Sequence, residues 1–404
     1  MANSWKTLSD GDITRRAIAR FHNKLKFLKT IDKQYDDRFA KVGAKNGGTL
    51  LIREPNQFTV RTGAVMAVQD VAESTQTFTV ATQKGVDINL SSVEHTLSVD
   101  DFEERIIDPA MDKLAADVEY TVLSNVYKDV FNLTGTPATT PASLAAVLNA
   151  GARLSQNLAP MSNRSLLCDS VAMAATVGGI GTYFHKASEI ERGFSDGILG
   201  HAGGFDFYES NMVPAHTNGS RDDTTPVMDT STIANGDTTF TTTGADGTLK
   251  AGDVFTVAGV YAVNLETKQA YSHLQQFVVT ADKTLDATDV IAIAPTVYIS
   301  GAKQNISVTS AGGGKALVFV AAGGSGAAST AYTQNLAYHR DAFSFVTADL
   351  HMEPGQRMAR AKVENVSMRI WRGADITNDK FPCRIDVLFG YKTVRPEWAT
   401  RVRG

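Results

Sequence analysis

The residue types that could perform chemistry are spread along this chain, and the local patterns that would concentrate them into sites fail. A phosphate-binding loop needs Gly-x-x-x-x-Gly-Lys-Ser/Thr, in which backbone amides and a hydroxyl meet phosphate and metal. The nearest match is at Gly314 and Lys315, where Thr309 takes the first glycine position and Ala316 takes the last position. We therefore interpret this segment as a loop.

Metal ligands show no local pattern either. The eight histidines are scattered and form no HExxH or His-x-His pattern. Asp282, Asp286 and Asp289 offer the oxygen ligands that calcium uses, but the EF-hand spacing and its closing glutamate are absent. We predict no catalytic residue, no metal site and no cofactor, although a fold can assemble a nucleophile and its base from distant residues.

Six basic residues near the N-terminus form the one concentration of like charge. They are Arg15, Arg16, Arg20, Lys24, Lys26 and Lys29. A specific nucleic-acid reader would carry a recognisable motif. We therefore expect either a solvated face of the arm or a contact with a neighbouring subunit or an acidic protein partner such as a scaffold.

The composition excludes several classes of protein. At about 150 residues a domain, 404 residues suggest two or three domains. The net charge of −4 argues against a generally basic nucleic-acid binder, and 43% hydrophobic residues can bury a core. Cys168 and Cys383 are interpreted as reduced, buried thiols. We find no signal-peptide pattern and no 18-residue apolar stretch, so we expect no membrane segment.

Charge and composition change along the chain. Both ends are net basic and the middle is net acidic, which suits copies that dock end to middle, although ordinary surface variation explains it as well. No arginine occurs between Arg221 and Arg340, where Thr, Ala, Gly, Val and Asp dominate. So long a shift in composition predicts a separate module.

A first helix is predicted from Ile13, with Asp12 as its cap. Its apolar stripe consists of Ile13, Ala17, Phe21, Leu25 and Leu28. The helix is either an amphipathic arm or a surface helix of the domain. If it is an arm, deletion of residues 1–29 leaves a folded subunit that assembles poorly.

The second helix, which we call the spine helix, is predicted from Pro109 to Phe131. At about 1.5 Å per residue it would be roughly 35 Å long. Further helices are predicted from Pro141 to residue 157 and over 169–179, with a buried strand at 164–168 between them. This alternation predicts a small α/β unit.

Most of the remaining chain has the composition of strands. Residues 47–97 are rich in Thr, Val and Ile and predict an extended two-stranded loop followed by sheet. Residues 222–334 show short strands between Asp/Gly turns, a spacing that suits a small barrel or sandwich. Further strands are predicted at 343–350, 366–371 and 383–394.

Several segments resemble those of tailed-phage major capsid proteins. The segment DDFEERIIDPAMDKLAADVE (100–119) resembles their long helix. The segments NLAYHRDAFSFVTADL (335–350) and CRIDVLFGYKTVRPEWATRV (383–402) resemble the closing strands of the phage P-twenty-two-like coat protein family. The most specific feature is Gly390-Tyr391 followed by Arg395-Pro396-Glu397. We expect Gly390→Val to disrupt folding if Gly390 occupies a crowded strand or a positive-φ turn.

The segment LKAGDVFTVAGV (249–260) resembles the start of the extra β-barrel that this family inserts. The resemblance implies an α+β protein with the Hong Kong 97-like phage capsid fold and an inserted all-β barrel domain. The domains expected on this basis are an N-terminal arm at 1–46, an extended loop with adjoining strands at 47–97, a peripheral domain with the spine helix at 98–131 and about 335–395, an axial α/β domain at 132–220 and about 396–404, and the inserted barrel at 221–334.

The resemblance also implies a function. Such proteins are major capsid proteins of tailed double-stranded DNA phages, and they assemble as pentamers and hexamers into an icosahedral shell around the genome. The implied partners are other copies of the chain, a scaffolding protein, a portal protein and packaged DNA held by non-specific contact, with no membrane. The implied locations are the virion capsid and, during assembly, the host cytoplasm.

Two alternatives stay open from the residues alone. A β-rich binding or tail-type structural protein would form a discrete monomer or trimer and no shell. An unrecognised hydrolase would lose turnover when a pocket His or Asp is changed, while any assembly survives. The expected spine helix and the interrupted α/β body favour the capsid protein over both.

Overall fold

A computed structural model describes most of the chain, and every structural statement below concerns this part. The described residues are 10–36, 49–53, 55–66, 68–69, 75–91, 106–137, 139–180, 200–220, 227–228, 233–244, 247–309, 314–320, 331–353 and 355–404. The chain divides into two compact units. Unit 1 comprises Met1–Ile52, Thr75–Val122 and Phe343–Lys392, and unit 2 comprises Arg53–Ser74, Leu123–Ala342 and Thr393–Gly404.

The protein is a mixed α+β protein in which strands predominate. The helices are α1 (Asp10–Lys24), α2 (Phe27–Thr30), α3 (Asp108–Val126), α4 (Leu144–Gln156) and α5 (Ser170–Ile180). Short 3₁₀ turns occupy Tyr127–Asp129, Arg340–Ala342 and Pro396–Trp398.

The strands are β1 (Asp32–Asp36), β2 (Thr49–Arg53), β3 (Thr75–Thr79), β4 (Thr82–Ser91), β5 (Leu133–Thr134), β6 (Arg164–Cys168), β7 (His201–Ala202), β8 (Phe205–Glu209), β9 (Ala215–Thr217), β10 (Val227–Met228), β11 (Asp237–Thr243), β12 (Gly247–Leu249), β13 (Val254–Val263), β14 (Ala270–Val279), β15 (Lys283–Leu285), β16 (Thr288–Val297), β17 (Ile306–Val308), β18 (Leu317–Phe319), β19 (Ala331–Thr333), β20 (Asn335–His339), β21 (Phe343–Ala348), β22 (Arg357–Val363), β23 (Val366–Arg372), β24 (Lys380–Thr393) and β25 (Ala399–Val402).

Unit 1 is built on a six-stranded sheet in the order β1-β21-β24-β23-β22, with β4 also pairing with β24. Strands β22 and β23 form a hairpin whose two turn residues, Glu364 and Asn365, both have positive φ. Strand β24 alternates between an apolar face and a polar face, as one buried side of a sheet requires. Its apolar side chains Ile385, Val387 and Phe389 are fully buried.

Helix α1 packs its apolar stripe on this sheet, against β22 and β23. Ala17 and Phe21 of α1, and Leu25 and Leu28 just after it, are all buried, which confirms the predicted stripe at these positions, while the side chain of Ile13 lies outside the described part. Because these side chains are covered within the subunit, the helix packs on the folded unit, as the surface-helix alternative expects, and an N-terminal arm at 1–46 stays a prediction. Its predicted start was wrong, since Asp12 lies inside a helix that already includes Asp10.

The spine helix is shorter than predicted. Helix α3 begins at Asp108, with Pro109 in its first turn as expected, but it ends at Val126 and a 3₁₀ turn continues to Asp129. Lys84 on β4 ties the sheet of unit 1 to this helix. Its Nζ donates to Asp117 Oδ2 and to Thr121 Oγ1, both at 2.5 Å.

Unit 2 contains an α/β part whose six-stranded sheet has the order β5-β25-β20-β6-β8-β7. The predicted buried strand at 164–168 is confirmed as β6, in which every residue is buried. Helix α4 begins at Leu144 rather than at Pro141, because Ser143 is its cap and accepts from the Ala146 N–H at 3.2 Å. Residues of α4, α5 and β6 share one apolar core.

The stretch of unit 2 without arginine forms a second sheet in the order β10-β11-β16-β14-β13-β17, with β18 also on β13. The residue before β18, Ala316, bridges to Val227 of β10. Backbone pairing therefore returns to β10 after passing through β11, β16, β14, β13 and β18. Phe240, Phe255 and Phe277 meet inside this ring of strands, with ring centroids 5.3–6.4 Å apart.

Several strands lie where the residue pattern predicted none, namely β1, β5, β7, β8, β9, β20, β22 and β25. Of these, β20 and β25 lie in segments whose resemblance implied closing strands. In the opposite direction, the predicted strand at the start of 47–97 continues only to Arg53, and residues 55–66 form no strand. The expected strands at 343–350, 366–371 and 383–394 are confirmed as β21, β23 and β24.

Candidate assembly interface

The six basic residues predicted as a contact all lie on α1, α2 or the turn between them. The helical period that buries Ala17 and Phe21 leaves the basic positions on the outer side. Arg15, Arg16, Arg20, Lys24, Lys26 and Lys29 are exposed. The structure therefore places them together on one element of unit 1, and it gives them different roles.

Arg20 and Lys24 bind the spine helix within their own subunit. Arg20 Nε and Nη2 donate to Asp112 Oδ1 and Oδ2, both at 3.0 Å, and Lys24 Nζ lies 3.5 Å from Asp112 Oδ2. The hydrogen bond from Arg20 lowers the pKa of the Asp112 carboxyl. Both cations thus form an intrasubunit contact, and their contact with a partner stays a prediction.

The backbone and the side chain of Lys26 have different surroundings. Its backbone N–H donates to Glu119 Oε2 at 2.7 Å, which fixes the turn between α1 and α2, while its side chain remains exposed. Lys29 is likewise exposed at the last turn of α2. Arg15 and Arg16 are exposed as well, and the contact of these side chains with a partner stays a prediction.

A second candidate surface is the segment 55–69, which the sequence assigned to an extended loop. Gln69 closes its base, because its Oε1 accepts from the Thr59 N–H at 2.8 Å and its Nε2 donates to the Thr59 carbonyl at 2.6 Å. Gly63, with φ +98°, makes the bend, and Arg61 Nη1 donates to the Gly63 carbonyl. The segment therefore has a defined shape without strand pairing.

This segment exposes an unusual concentration of apolar side chains. Their exposed fractions are Phe58 59%, Val60 97%, Val65 86%, Met66 76% and Val68 77%. Single exposed apolar residues are ordinary on protein surfaces, but a contiguous group marks an interaction surface. The segment is therefore the strongest contact candidate in the described part of the chain.

The most enzyme-like constellation lies inside unit 2. His216 Nδ1 lies 3.1 Å from the Tyr127 hydroxyl, and His216 Nε2 lies 2.9 Å from Asp253 Oδ1. Burial lowers the pKa of His216, and the hydrogen bond with Asp253 opposes that shift. The geometry resembles a relay in which a carboxylate orients an imidazole.

The surroundings of this triplet assign it a structural role. His216 is 3% exposed and Asp253 2% exposed, so a substrate has no approach to the imidazole. Asp253 Oδ2 also accepts from the Gly219 and Lys250 N–H groups, at 3.1 and 3.0 Å. The carboxylate thus ties β9 to the turn that precedes β13. Sequence reasoning missed this cluster because its members are 37 and 89 positions apart.

Beyond this triplet, the described residues contain little that indicates catalysis. The expectation that no local catalytic pattern occurs was wrong at one place, because residues 193–197 (GFSDG) match Gly-x-Ser-x-Gly, the nucleophile turn of α/β-hydrolases. These residues lie outside the described part of the chain. Within the described residues, three metal-ligating side chains nowhere come together. Among those same residues, no helix has the length and apolar character needed to cross a bilayer.

The chain resembles known proteins in both sequence and structure. The family model described as P22 coat protein (gene protein 5) matches residues 18–401. No curated protein sequence matches the chain significantly.

Three of the solved structures that resemble the chain come from phages. A Mycobacterium phage Che8 chain is 11% identical, with 93% of this chain and 89% of that chain covered and a TM-score of 0.46. The capsid structure of Cyanophage P-SCSP1u is 10% identical, with 92% of this chain and 85% of that chain covered and a TM-score of 0.44. The asymmetric unit of the mature capsid of bacteriophage PhiM1 is 10% identical, with 92% of this chain and 85% of that chain covered and a TM-score of 0.42.

Proposed function

The chain belongs to the P22 coat protein family and is a capsid shell protein, and we propose that it is the major capsid protein of a tailed double-stranded DNA phage. In this proposal, copies of the chain form pentamers and hexamers that close into an icosahedral shell around the genome. Such rings arise from heterologous contacts that close on rotation.

The observation that carries the proposal is the apolar segment 55–69. Its five exposed side chains lie outside the buried cores of their own subunit. Burying a Val or Met side chain contributes about 1.5–3 kcal/mol. A neighbouring copy that covered this segment would therefore gain several kcal/mol per contact, and closure multiplies such contacts around a shell.

We further propose the Hong Kong 97-like arrangement of domains. Unit 1, with α3 and the β21–β24 strands, supports a peripheral domain near 98–131 and 335–395. The α/β sheet of unit 2 supports an axial domain at 132–220 and 396–404. The ring of strands with its own phenylalanine core supports an inserted barrel within 221–334.

The proposed partners are a scaffolding protein and a portal protein during assembly in the host cytoplasm, and packaged DNA held non-specifically in the virion. The exposed cations Arg15, Arg16, Lys26 and Lys29 support docking of an acidic scaffold segment. The hydrolase alternative would rest on Tyr127, His216 and Asp253, whose enclosure argues against it.

The direct test is to express the full chain with and without its scaffolding protein and to examine the product by electron microscopy and sedimentation. Closed shells with five-fold and six-fold rings are expected. A discrete monomer or trimer at high concentration beside the scaffold would support the tail-type alternative and overturn the proposal.

A further inference from the structure

Two arginines near the end of the described chain are buried in unit 2. Arg401 is 1% exposed and Arg403 is 2% exposed. The N–H of Arg401 donates to the Asn132 carbonyl and that of Arg403 to the Thr134 carbonyl, both at 2.9 Å. Because the two residues sit two positions apart on one extended ladder, their side chains leave the same face of it.

Both guanidinium groups lie on tyrosine rings around one imidazole. The Arg401 guanidinium carbon is 5.4 Å from the Tyr127 ring centroid, and that of Arg403 is 3.8 Å from the Tyr332 ring centroid. The rings of Tyr127 and Tyr332 lie 5.6 and 6.1 Å from the His216 ring. The two cations therefore share one enclosed region.

Each guanidinium leaves the same edge unsatisfied. Arg401 Nη1 donates to the Gly252 carbonyl at 2.7 Å, but Nε and Nη2 of both Arg401 and Arg403 have no hydrogen-bond partner in the described residues. The Nδ2 of Asn218, whose Oδ1 accepts from the Tyr332 hydroxyl at 2.7 Å, is also buried without a partner. The unsatisfied groups around the tyrosine rings are thus mostly donors.

No carboxylate in the described residues forms an ion pair with either guanidinium. Asp253 and Asp129 act on Arg401, and Asp169 on Arg403, only from beyond ion-pair distance, and Asp253 is already occupied by His216 and two backbone N–H groups. A buried charge without a counter-charge is strongly unfavourable. Burial accordingly lowers the pKa of Arg401 to about 10 and that of Arg403 to about 9.

We propose that unit 2 binds a small inorganic anion against the unpaired Nε and Nη2 edges of Arg401 and Arg403. The edge formed by Nε and Nη2 is the one that grips an oxyanion through two parallel hydrogen bonds, and it equally suits a halide. An anion supplies acceptors only, which matches a region of unpaired donors. The enclosure of both side chains limits the ligand to a few atoms, such as chloride or inorganic phosphate.

The anion would neutralise two positive charges where β25, β9 and the end of α3 meet. It would act as a fixed part of unit 2, independent of whether the chain forms a shell. The competing occupant is water, for which the buried and unpaired Gln334 Oε1 offers an acceptor. An acidic side chain from outside the described residues is the other competitor.

Thermal unfolding of the full chain tests the proposal in solution. The melting temperature is measured against rising sodium chloride, or rising sodium phosphate, with sodium gluconate holding the ionic strength constant. A saturating rise of several degrees in one series is expected, and the series that produces it distinguishes a halide from an oxyanion. Equal, flat curves in both series would overturn the proposal.

A variant and its matched control locate the effect. Arg403→Leu should abolish the anion-dependent shift. Arg395→Leu should retain it, because Arg395 also stacks on an aromatic ring, that of Trp398 at 4.1 Å, but is not buried. An anion-dependent shift that persists in Arg403→Leu, or disappears in Arg395→Leu, would contradict the assignment.

Diffraction from bromide-soaked crystals of the unmodified full chain does not depend on any variant folding. A bromide anomalous peak beside the Nε of Arg401 or Arg403 is the expected result. Density for water alone, or for an acidic side chain of the same chain, at both edges would overturn the proposal.

Discussion

Arg20 on α1 and Asp112 on α3 form a two-pronged ion pair, with both N–O distances at 3.0 Å. This pair joins the first helix to the spine helix inside unit 1. The first helix also buries Ala17 and Phe21 there, and the segment after it buries Leu25 and Leu28. The expectation that deleting residues 1–29 leaves a folded subunit is therefore revised, because the deletion would uncover the sheet beneath α1.

The apolar stripe, rather than the ion pair, should dominate the stability of this contact. Phe21 is fully buried, and truncation of such a phenylalanine costs about 3–5 kcal/mol. Arg20 and Asp112 have half-exposed and quarter-exposed side chains, where ion pairs contribute little. We expect Phe21→Ala to lower the free energy of unfolding strongly and Arg20→Ala to lower it slightly, measured by urea denaturation. A larger loss in Arg20→Ala would contradict this ranking.

Gly390 should tolerate no side chain. A Cβ at this position of β24 would collide with the Thr79 carbonyl oxygen and would lie 2.9 Å from Phe78 Cε1. Two reasons for a glycine were considered, a crowded strand and a positive-φ turn. Gly390 has no positive φ, so the crowded strand explains why a glycine is required here. We expect Gly390→Ala to destabilise the protein by about 1–3 kcal/mol and Gly390→Val by more.

Gly373 provides the matched control for this substitution. A Cβ there would meet only Pro382 Cγ, at an ordinary 3.4 Å. Gly373→Ala should therefore leave the urea midpoint close to that of the unmodified protein. Equal midpoints for Gly390→Ala and Gly373→Ala would remove the steric argument.

Stability should fall on acidification because several histidines are held neutral. Burial lowers the pKa of His22, His216 and His339, and it lowers that of His273 to about 4, with the charge of Arg153 adding to the shift. Each folded-state pKa lies below the unfolded value of about 6.5. The unfolded chain therefore binds protons first, so this stabilisation is complete above pH 6.5 and declines as pH falls.

For His273 the decline should run from about pH 6.5 down to about pH 4. His273→Gln should flatten the curve of unfolding free energy against pH in that window, measured by urea denaturation at fixed salt. A slope that His273→Gln leaves unchanged would contradict the role given to His273.

Hydrophobic periodicity predicted the elements that bury one face. It failed for elements whose charged side chains interrupt the apolar pattern. The stripe of α1 and the strands β21, β23 and β24 follow from such alternation. Strand β22 (RMARAKV) escaped prediction because its side chains are basic or small and only partly buried. Strand β25 escaped because it is four residues long and buries the charged Arg401.

The candidate site was predictable only as composition. The basic residues of α1 are evident in the sequence, but only the fold shows that Arg20 and Lys24 form ion pairs with Asp112. The assembly of His216, Asp253 and Tyr127 depends on three distant elements meeting, which local patterns do not record.

The exposed lysines of the basic cluster should control docking of an acidic scaffold. The double substitution of Lys26→Glu and Lys29→Glu should weaken scaffold binding roughly tenfold at low ionic strength, and the loss should shrink as salt rises. Lys113→Glu reverses one exposed charge elsewhere in unit 1 and should change binding less. Scaffold binding, measured by sedimentation, that is equal in all variants would exclude this surface.

The apolar segment 55–69 should be needed for assembly and not for folding. Val60 and Met66 are 97% and 76% exposed, so Val60→Ser with Met66→Ser removes little buried area from the isolated subunit, and its melting temperature should stay unchanged. At about 1.5–3 kcal/mol for each side chain that a neighbour covers, the concentration needed for assembly should rise roughly a hundredfold or more.

The matched control replaces apolar side chains of similar exposure elsewhere. Met161 and Val171 are 80% and 65% exposed, and Met161→Ser with Val171→Ser makes the same chemical change outside the segment. If exposed apolar area in general drove assembly, both pairs would raise the critical concentration equally, as read by light scattering and electron microscopy. A rise confined to the Val60 and Met66 pair, with unchanged melting in both, is the expected result, because only there, among the described residues, do five exposed apolar side chains fall within eleven residues.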